Sequence, residues 1–169
     1  MNPPRRSAGA CVTLACLAIA GCNGHAATPP PTPSPSFPAT SSCRLLTHAE
    51  VQSALGIPIE PAKAIGFGGC LFSIPDGAGE VDFGVTAFKS ASLAQEYVKQ
   101  QAPVGSSCCK VSTIRDLGQL AVTITGKTEG TSVLAVFGSR VLTVNISWNA
   151  AITHPGMALT LAREAAGRL

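Results

Sequence analysis

Apolar and polar residues alternate in several stretches of this chain, and a period of two predicts β-strands with one buried face. The runs 70–74 and 81–88 flank a turn-forming segment at 75–79, so together they predict a hairpin. In the second run the odd-numbered positions are apolar and the side that carries Asp82 is largely polar. Further alternating runs begin at Leu120, Val133 and Leu142.

The dipeptide Gly138-Ser139 fits the two-residue type II′ turn that favours β-hairpins. It joins the last two runs into a hairpin. Because the apolar residues of both runs then face the same way, this hairpin is predicted to lie at the centre of the sheet. One face of this hairpin holds Val133, Ala135, Phe137, Leu142, Val144, Ile146 and Trp148, whereas Thr143, Asn145 and Ser147 point the opposite way. Phe137, Trp148 and the strand aliphatics are candidates for lining a ligand cavity between sheet and helices, although core packing is the more frequent role of such residues.

The best-marked helix start lies at Thr47 and Glu50, whose spacing fits a capping box in which each side chain bonds to the other residue's backbone. A short helix over residues 48–55 is therefore predicted. Gly56 directly follows it, as is typical of a helix end.

Two further helices are predicted from apolar positions at helical spacing. Ser92 is a candidate cap for one that ends before Pro103, and Pro155 starts another that closes at Gly167. Residues 103–119 lack a clean period and are interpreted as a loop. The expected fold is an α+β sandwich in the order α-β-β-α-β-β-β-α, with a mainly antiparallel sheet of about five strands and three helices packed on one face.

The segment before residue 22 is predicted to be an export signal. Arg5 and Arg6 supply a basic start and residues 8–21 an apolar run, which is shorter than the ~20 residues that a spanning helix needs. Leu17-Ala18-Ile19-Ala20-Gly21-Cys22 resembles a bacterial lipobox, with small residues directly before the cysteine that takes the lipid. We therefore expect a signal peptide at 1–21, a palmitate-type acyl chain on Cys22 and a membrane-anchored protein on the extracytoplasmic side.

Residues 22–42 are predicted to be the lipidated cysteine and a tether, because six prolines interrupt a stretch rich in Thr, Ser and Ala that cannot form a core. One α+β domain then fills 43–169. Loss of Arg5 and Arg6 with the signal leaves 10 Lys and Arg against 9 Asp and Glu, scattered singly along the chain. This balance excludes the basic surface that a nucleic-acid-binding protein needs.

Cysteine chemistry is the next candidate for function. Cys43, Cys70, Cys108 and Cys109 lie beyond the signal and the anchor, and export makes disulfides the default. Four cysteines allow three pairings, and the spacing alone does not choose among them. Cys108 and Cys109 are also a possible second disulfide, a labile pair, or two metal ligands with a histidine as the third, although adjacent ligands suit a tetrahedral site poorly.

Catalytic residues are not indicated. His48 and His154, the candidates for a third metal ligand, both lie at predicted helix N-termini, where the helix dipole disfavours a protonated imidazole, so neither is expected to be a tuned general base. No Gly-x-Ser-x-Gly motif marks a hydrolase nucleophile. The glycine-rich residues 66–69 precede a strand and are interpreted as a connection rather than a phosphate loop. We therefore expect no enzyme activity, no cofactor and no resident metal.

Several short motifs behind the lipobox resemble a family of small actinobacterial, mycobacterial-type envelope lipoproteins that share a domain of unknown function. They are Cys43-Arg44-Leu45-Leu46-Thr47, Glu50-Val51, Ala54-Leu55-Gly56, Gly69-Cys70-Leu71-Phe72, Asp116-Leu117-Gly118 and the closing Arg168-Leu169. The resemblance spans 43–169 and implies a surface-exposed lipoprotein with no catalytic residues to carry over. It also implies a disulfide between Cys43 and Cys70, because the family's pattern has cysteines there and lacks the later pair.

The leading hypothesis is a non-enzymatic envelope lipoprotein that binds an apolar or lipid-like ligand, or an envelope protein. The anchor, the low charge and the lack of a catalytic constellation favour it. The alternative is a metal-binding or thiol-redox envelope protein that works through Cys108 and Cys109.

Overall fold

Seven antiparallel strands form one sheet in the computed structural model, which describes residues 42–102, 108–128, 130–148, 150–151 and 154–169. The strands are β1 (Lys63–Ala64), β2 (Cys70–Ile74), β3 (Gly79–Ala87), β4 (Cys109–Ile114), β5 (Leu120–Gly126), β6 (Thr131–Phe137) and β7 (Arg140–Ser147). The helices are α1 (His48–Leu55), α2 (Ala91–Gln101) and α3 (Gly156–Ala166). The predicted signal peptide, the lipidated Cys22 and all but the last residue of the tether lie outside the described residues.

Across the sheet the strands follow the order β1-β2-β3-β7-β6-β5-β4. The prediction of about five strands in the order α-β-β-α-β-β-β-α is wrong, because the described chain runs α-β-β-β-α-β-β-β-β-α. The two strands that the pattern missed are the edges of the sheet. β1 consists of two exposed residues. β4 lies within the stretch interpreted as a loop. As an edge strand it pairs on one side only, and its polar and apolar residues are mixed.

Helices cover both faces of the sheet, so the prediction that three helices pack on one face is also wrong. Val133 and Ala135 of β6 pack with α1 and α3, whereas Leu134 and Val136 pack with α2. All four side chains are at most 5% exposed. The physical reason is that residues 133–136 are apolar at every position, which is typical of a strand buried on both faces.

The face covered by α1 and α3, which we call the closed face, carries most of the core. Its buried strand residues include Phe72, Val81, Phe83, Leu142, Val144 and Ile146, and its buried helix residues include Val51, Leu55, Leu161 and Ala162. The rings of Phe72 and Phe83 stack with their centroids 5.9 Å apart. Most of the apolar area that the described residues bury is therefore on one side of the sheet.

The central hairpin forms as its turn residues predict. Phe137 pairs with Arg140 across Gly138-Ser139, and Gly138 has the positive φ of 60° that a type II′ turn needs at its first position. β7 is the fourth of the seven strands, so this hairpin does lie at the centre of the sheet.

α1 begins at the predicted capping box. Glu50 N donates to Thr47 Oγ1 at 3.3 Å, and Thr47 N donates to Glu50 Oε2 at 2.7 Å. The two bonds satisfy backbone donors that the first turn of a helix otherwise leaves unpaired. Gly56 ends the helix with φ 70°, as its position predicts.

α2 has a different cap from the predicted one, since Ser90 rather than Ser92 accepts from Leu93 N. α3 follows Pro155 and ends before Gly167, as predicted. Within the described ranges, the helices are too short or too polar to cross a bilayer.

Two links fasten distant segments together on the closed face. A disulfide joins Cys43, which precedes α1, to Cys70 at the start of β2, with Cα atoms 5.0 Å apart. Arg168, which follows α3, donates to both carboxylate oxygens of Glu50 and to the Leu45 carbonyl. The start and the end of the described domain are therefore held to the same region.

Candidate functional site

α2 covers only part of its face of the sheet. It packs on Phe88, Val122, Leu134, Val136 and Val141. The strand positions beyond it on that face are small or polar and half-buried: Asp82, Gly84 and Thr86 of β3, Thr143 and Asn145 of β7, and Ser132 of β6. We call these six residues the open face.

A row of cross-strand neighbours runs through the open face. Asp82 lies opposite Asn145, and Asn145 lies opposite Ser132, so three polar side chains stand side by side on β3, β7 and β6. Asn145 Nδ2 donates to Asp82 Oδ1 at 2.9 Å. The row is held by the same strand pairing that builds the core, which places these side chains on a rigid support.

Three adjoining clefts lie over the open face and its margin. The first, of about 480 Å³, contains Asp82 and Asn145. The second, of about 160 Å³, shares Asp82 with the first. The third, of about 450 Å³, shares Ser147 with the first and contains Glu60 and Glu80. We call the three clefts together the groove.

The groove is acidic. Burial raises the pKa of the Asp82 carboxyl above its usual range, the hydrogen bond from Asn145 lowers it in part, and the charge of Glu80 adds to the rise. The described residues that line the three clefts include the acidic Asp82, Glu80 and Glu60, and none of those described is a Lys, Arg or His. Lys63 on β1 pairs with Glu60 at 3.2 Å. An unbalanced negative charge therefore remains around Asp82 and Glu80.

Phe67 lies at the second cleft and is 76% exposed, the largest value for a large apolar side chain among the described residues. Its φ of 62° is left-handed, which costs a non-glycine residue about 1–2 kcal/mol. Two backbone hydrogen bonds close the turn that carries it, from Gly69 N to Gly66 O and from Ile65 N to Gly69 O. The fold thus leaves a largely exposed aromatic residue beside the open face, in an unfavourable backbone conformation.

Cys109 lines the first cleft at the start of β4 and is bonded to Cys108. The metal alternative needs a histidine near this pair. His48 lies instead in α1, with its ring centroid 6.3 Å from that of Phe72 on β2. β2 and β4 are five strand spacings apart, or about 24 Å.

His154, the other candidate ligand, lies in the segment directly before α3. In the parts of the chain that the structure describes, no three His, Cys, Asp or Glu side chains approach one another as a metal-binding group.

His48 faces a fourth cleft, of about 460 Å³, beside α1. Its Nε2 lies 3.0 Å from the Ile59 carbonyl oxygen and therefore carries the proton that it donates. Among the described residues that line that cleft, Ser53 carries the one hydroxyl, and His48 Nε2 bonds to the Ile59 carbonyl rather than to that hydroxyl.

The predicted ligand cavity behind the central hairpin is filled by the residues themselves. Val133, Ala135, Leu142 and Val144 are fully buried, and Phe137 and Trp148 pack against the same core. These side chains stabilise the fold, and the clefts on the other face of the sheet are lined mainly by different residues.

Asp82 and Phe67 are the site residues that the sequence pattern did not single out. Asp82 was assigned to the polar side of its strand, and Phe67 to a glycine-rich connection. The available signals were an acidic residue in the middle of a strand, where Asp is depleted, and a large apolar residue among glycines.

No family model matches this chain, and no curated protein matches it. Among solved structures, it is similar to the extracellular domain of PknH from Mycobacterium tuberculosis, with a TM-score of 0.43 and 17% sequence identity over 80% of this chain and 81% of that one. A similarity at that distance supports no statement about function. The family resemblance drawn from the sequence therefore stays a prediction.

Proposed function

We propose that this chain is a non-enzymatic binding protein of the cell envelope, anchored by a lipid on Cys22, that recognises an envelope protein with its open face. The observation that carries the proposal is a half-buried polar sheet surface with the largely exposed Phe67 beside it. Protein interfaces combine such a hydrogen-bonding surface with an exposed aromatic anchor. The lipobox-like sequence and the signal before it support the location.

Among the ligand classes expected from the sequence, the cleft chemistry favours a protein over an apolar or lipid-like molecule. Sites for apolar ligands are lined mostly by apolar side chains. The first cleft instead contains Asp82, Ser132, Asn145 and Ser147. Asp82 contacts an amide and faces a second carboxylate, an arrangement that activates no nucleophile and so supports binding rather than catalysis.

Photo-crosslinking in cells of the source organism tests the proposed function. A photoreactive amino acid would replace Thr86 on the open face in one variant and Glu164 on α3 in a matched variant. We expect the position of Thr86 to capture one discrete envelope protein and the position of Glu164 to capture none. Equal labelling at both positions, or capture of lipid alone at the position of Thr86, would contradict the proposal.

The anchor is tested separately with Cys22→Ala. Acylation is the strongest membrane attachment left once the signal is removed, so the variant should be unprocessed or shed from the membrane. Detergent phase partitioning with the parent protein as control measures this. A variant that is processed and partitions like the parent would show that Cys22 is not the lipid acceptor.

A thiol-redox role for Cys108 and Cys109 is the second candidate function, favoured by the position of Cys109 in the wall of the first cleft. Adjacent Cα atoms 3.8 Å apart lie below the usual range of about 4.4–6.8 Å, so this bridge should be easily reduced. In a thiol titration during stepwise reduction, we expect it to open before the bridge to the fully buried Cys70. Opening in the reverse order would exclude the redox role.

A further inference from the structure

We propose that the open face recognises a basic side chain, lysine or arginine, on its protein partner, with the Asp82 carboxylate and the Phe67 ring as the two contacts. This inference rests on the function proposed above and adds the chemistry of the partner. It concerns the second cleft, where both groups are present.

The geometry of the second cleft fits a basic side chain. Asp82 and Phe67 line it together with the small or polar Gly84, Thr86 and Thr143 and several apolar residues, among them the exposed Ile65. Lysine and arginine have an apolar stem that packs on an aromatic ring and a charged head that pairs with a carboxylate, and the cation is also attracted to the face of the ring. A cleft that combines a carboxylate with an aromatic ring and a neighbouring aliphatic side chain, Ile65, can contact both the charged head and the apolar stem of such a residue.

The charge of the groove points to the same class of partner. Of the carboxylates Asp82, Glu80 and Glu60, Glu60 alone has an ion-pair partner among the described residues, Lys63. Asn145 donates to Asp82 Oδ1 at 2.9 Å, but a neutral amide orients the carboxylate without neutralising it. A half-buried carboxylate next to a second one gains more from an incoming cation than a solvated carboxylate does.

Peptide binding to the full chain, purified in detergent micelles, tests the inference. The probes are four libraries of acetylated and amidated octapeptides with randomised flanks and one fixed central residue, which is lysine, arginine, leucine or glutamate. A charge-assisted hydrogen bond contributes enough that the lysine and arginine libraries should bind at least about tenfold more tightly than the leucine library. The glutamate library should bind most weakly.

Four variants separate the contributions of the Asp82 charge and the Phe67 ring from the background binding. Asp82→Asn keeps the shape of the side chain and should abolish the preference for basic peptides, whereas Asp82→Glu should restore part of it. Phe67→Asn should weaken basic peptides several-fold. Glu164→Gln removes the same charge from α3 and should change nothing. Each variant is compared only after its thermal unfolding shows a folded protein.

Equal binding of the lysine and leucine libraries would overturn the inference, as would a preference that survives Asp82→Asn. A partner captured at the position of Thr86 that shows no need for a basic residue leaves the proposed function standing and removes this inference. A preference for basic peptides without any captured protein would leave the recognition of a basic side chain standing and remove the proposed envelope-protein partner. Capture of a second copy of this chain would overturn the assignment of a separate partner.

Discussion

The two faces of the sheet differ in how deeply their side chains are buried and in how those side chains affect stability. On the closed face, strand and helix side chains are fully buried, and the Cys43–Cys70 disulfide and the Glu50–Arg168 ion pair join segments that are distant in sequence. On the open face, a half-buried carboxylate lies near a second carboxylate. Beside it, an aromatic ring is exposed on a left-handed residue.

This difference separates residues that stabilise the folded protein from residues that lower its stability. The features of the closed face lower the free energy of the folded state, whereas Asp82 and Phe67 raise it locally. Residues that break local structural rules are expected at functional sites. Substitutions on the closed face should therefore destabilise the protein, and substitutions at Asp82 and Phe67 should stabilise it while removing binding.

The largest effect is expected from Cys43→Ser together with Cys70→Ser. The bridge spans a sequence separation of 27 residues. For a loop of this length, chain entropy predicts a loss of roughly 3–4 kcal/mol in the free energy of unfolding, measured in urea. The matched control is Cys108→Ser with Cys109→Ser, whose bridge spans a separation of 1 and should contribute much less. Equal losses in the two double variants would show that closing the long loop is not what makes the first bridge stabilising.

The next comparison uses two adjacent residues that point to opposite faces. Leu142 is fully buried on the closed face, and truncation of such a residue costs about 2–5 kcal/mol, so we expect about 3 kcal/mol for Leu142→Ala. Thr143 on the open face is half-buried, and Thr143→Ala should change stability by about 0.5 kcal/mol or less. Urea unfolding of both variants decides this. Similar losses would make the open face part of the core.

The elements that the sequence predicted well have strong local signals. α1 is marked by a capping box and a following glycine, and the β6–β7 hairpin by Gly138-Ser139 between alternating runs. β4 was missed because an edge strand buries few side chains and lacks a clean apolar period. The placement of α2 was missed although residues 133–136 indicate a strand covered on both faces.

The candidate site was less predictable than the fold because it depends on residues far apart in the chain. Alternation does place Asp82 and Asn145 on the polar side of their strands, but only the β3–β7 pairing brings them together. The position of Phe67 depends on a turn whose left-handed backbone at a non-glycine residue has no sequence signature. The cleft that joins Phe67 to Asp82 is therefore a product of the tertiary structure.

The third prediction concerns Glu50→Gln on the closed face. Hydrogen bonds from Arg168 and Thr47 lower the pKa of Glu50 from 4.5 to about 2. A carboxyl with a lowered pKa stabilises the folded state fully above its unfolded pKa, and that stabilisation is lost as the pH falls from 4.5 toward about 2. Because the side chain is partly exposed and solvent screens the pair, we expect the variant to lose about 1 kcal/mol at neutral pH.

Urea unfolding of parent and Glu50→Gln across this pH range provides the measurement. The difference between the two proteins should shrink as the pH falls below 4.5. Glu96→Gln on α2 serves as the control, because the Glu96 carboxylate accepts a hydrogen bond from the neutral Gln100. A difference that stays constant down to about pH 2 would mean that the charge of Glu50 does not stabilise the fold.

The fourth prediction is that Phe67→Asn stabilises the protein by up to about 1 kcal/mol, because asparagine tolerates the left-handed conformation that strains phenylalanine. Loss of a ring that is 76% exposed removes little buried area. Asp76, with φ 61°, is the other non-glycine residue at positive φ among those described, and Asp76→Asn should be neutral because both residue types tolerate this conformation. A clear loss of stability in Phe67→Asn would show that the ring contributes to the fold.

The smallest effect, and the one that bears most directly on the open face, is expected from Asp82→Asn. Burial is the largest cause of the raised pKa of Asp82, and Glu80 adds to it, so the charged carboxylate is less stable in the folded protein than in the unfolded chain. For a carboxyl with a raised pKa, this penalty is absent below the unfolded value of 3.8 and grows as the pH rises through the folded pKa. The amide of Asn145 still has an oxygen to donate to in the variant. Asp82→Asn should therefore unfold at a slightly higher temperature than the parent at neutral pH, and this advantage should disappear below pH 3.8.

A variant that gains stability and loses the preference for basic peptides would identify Asp82 as a residue kept for binding. A variant that is less stable than the parent at neutral pH would show instead that the charge belongs to the fold.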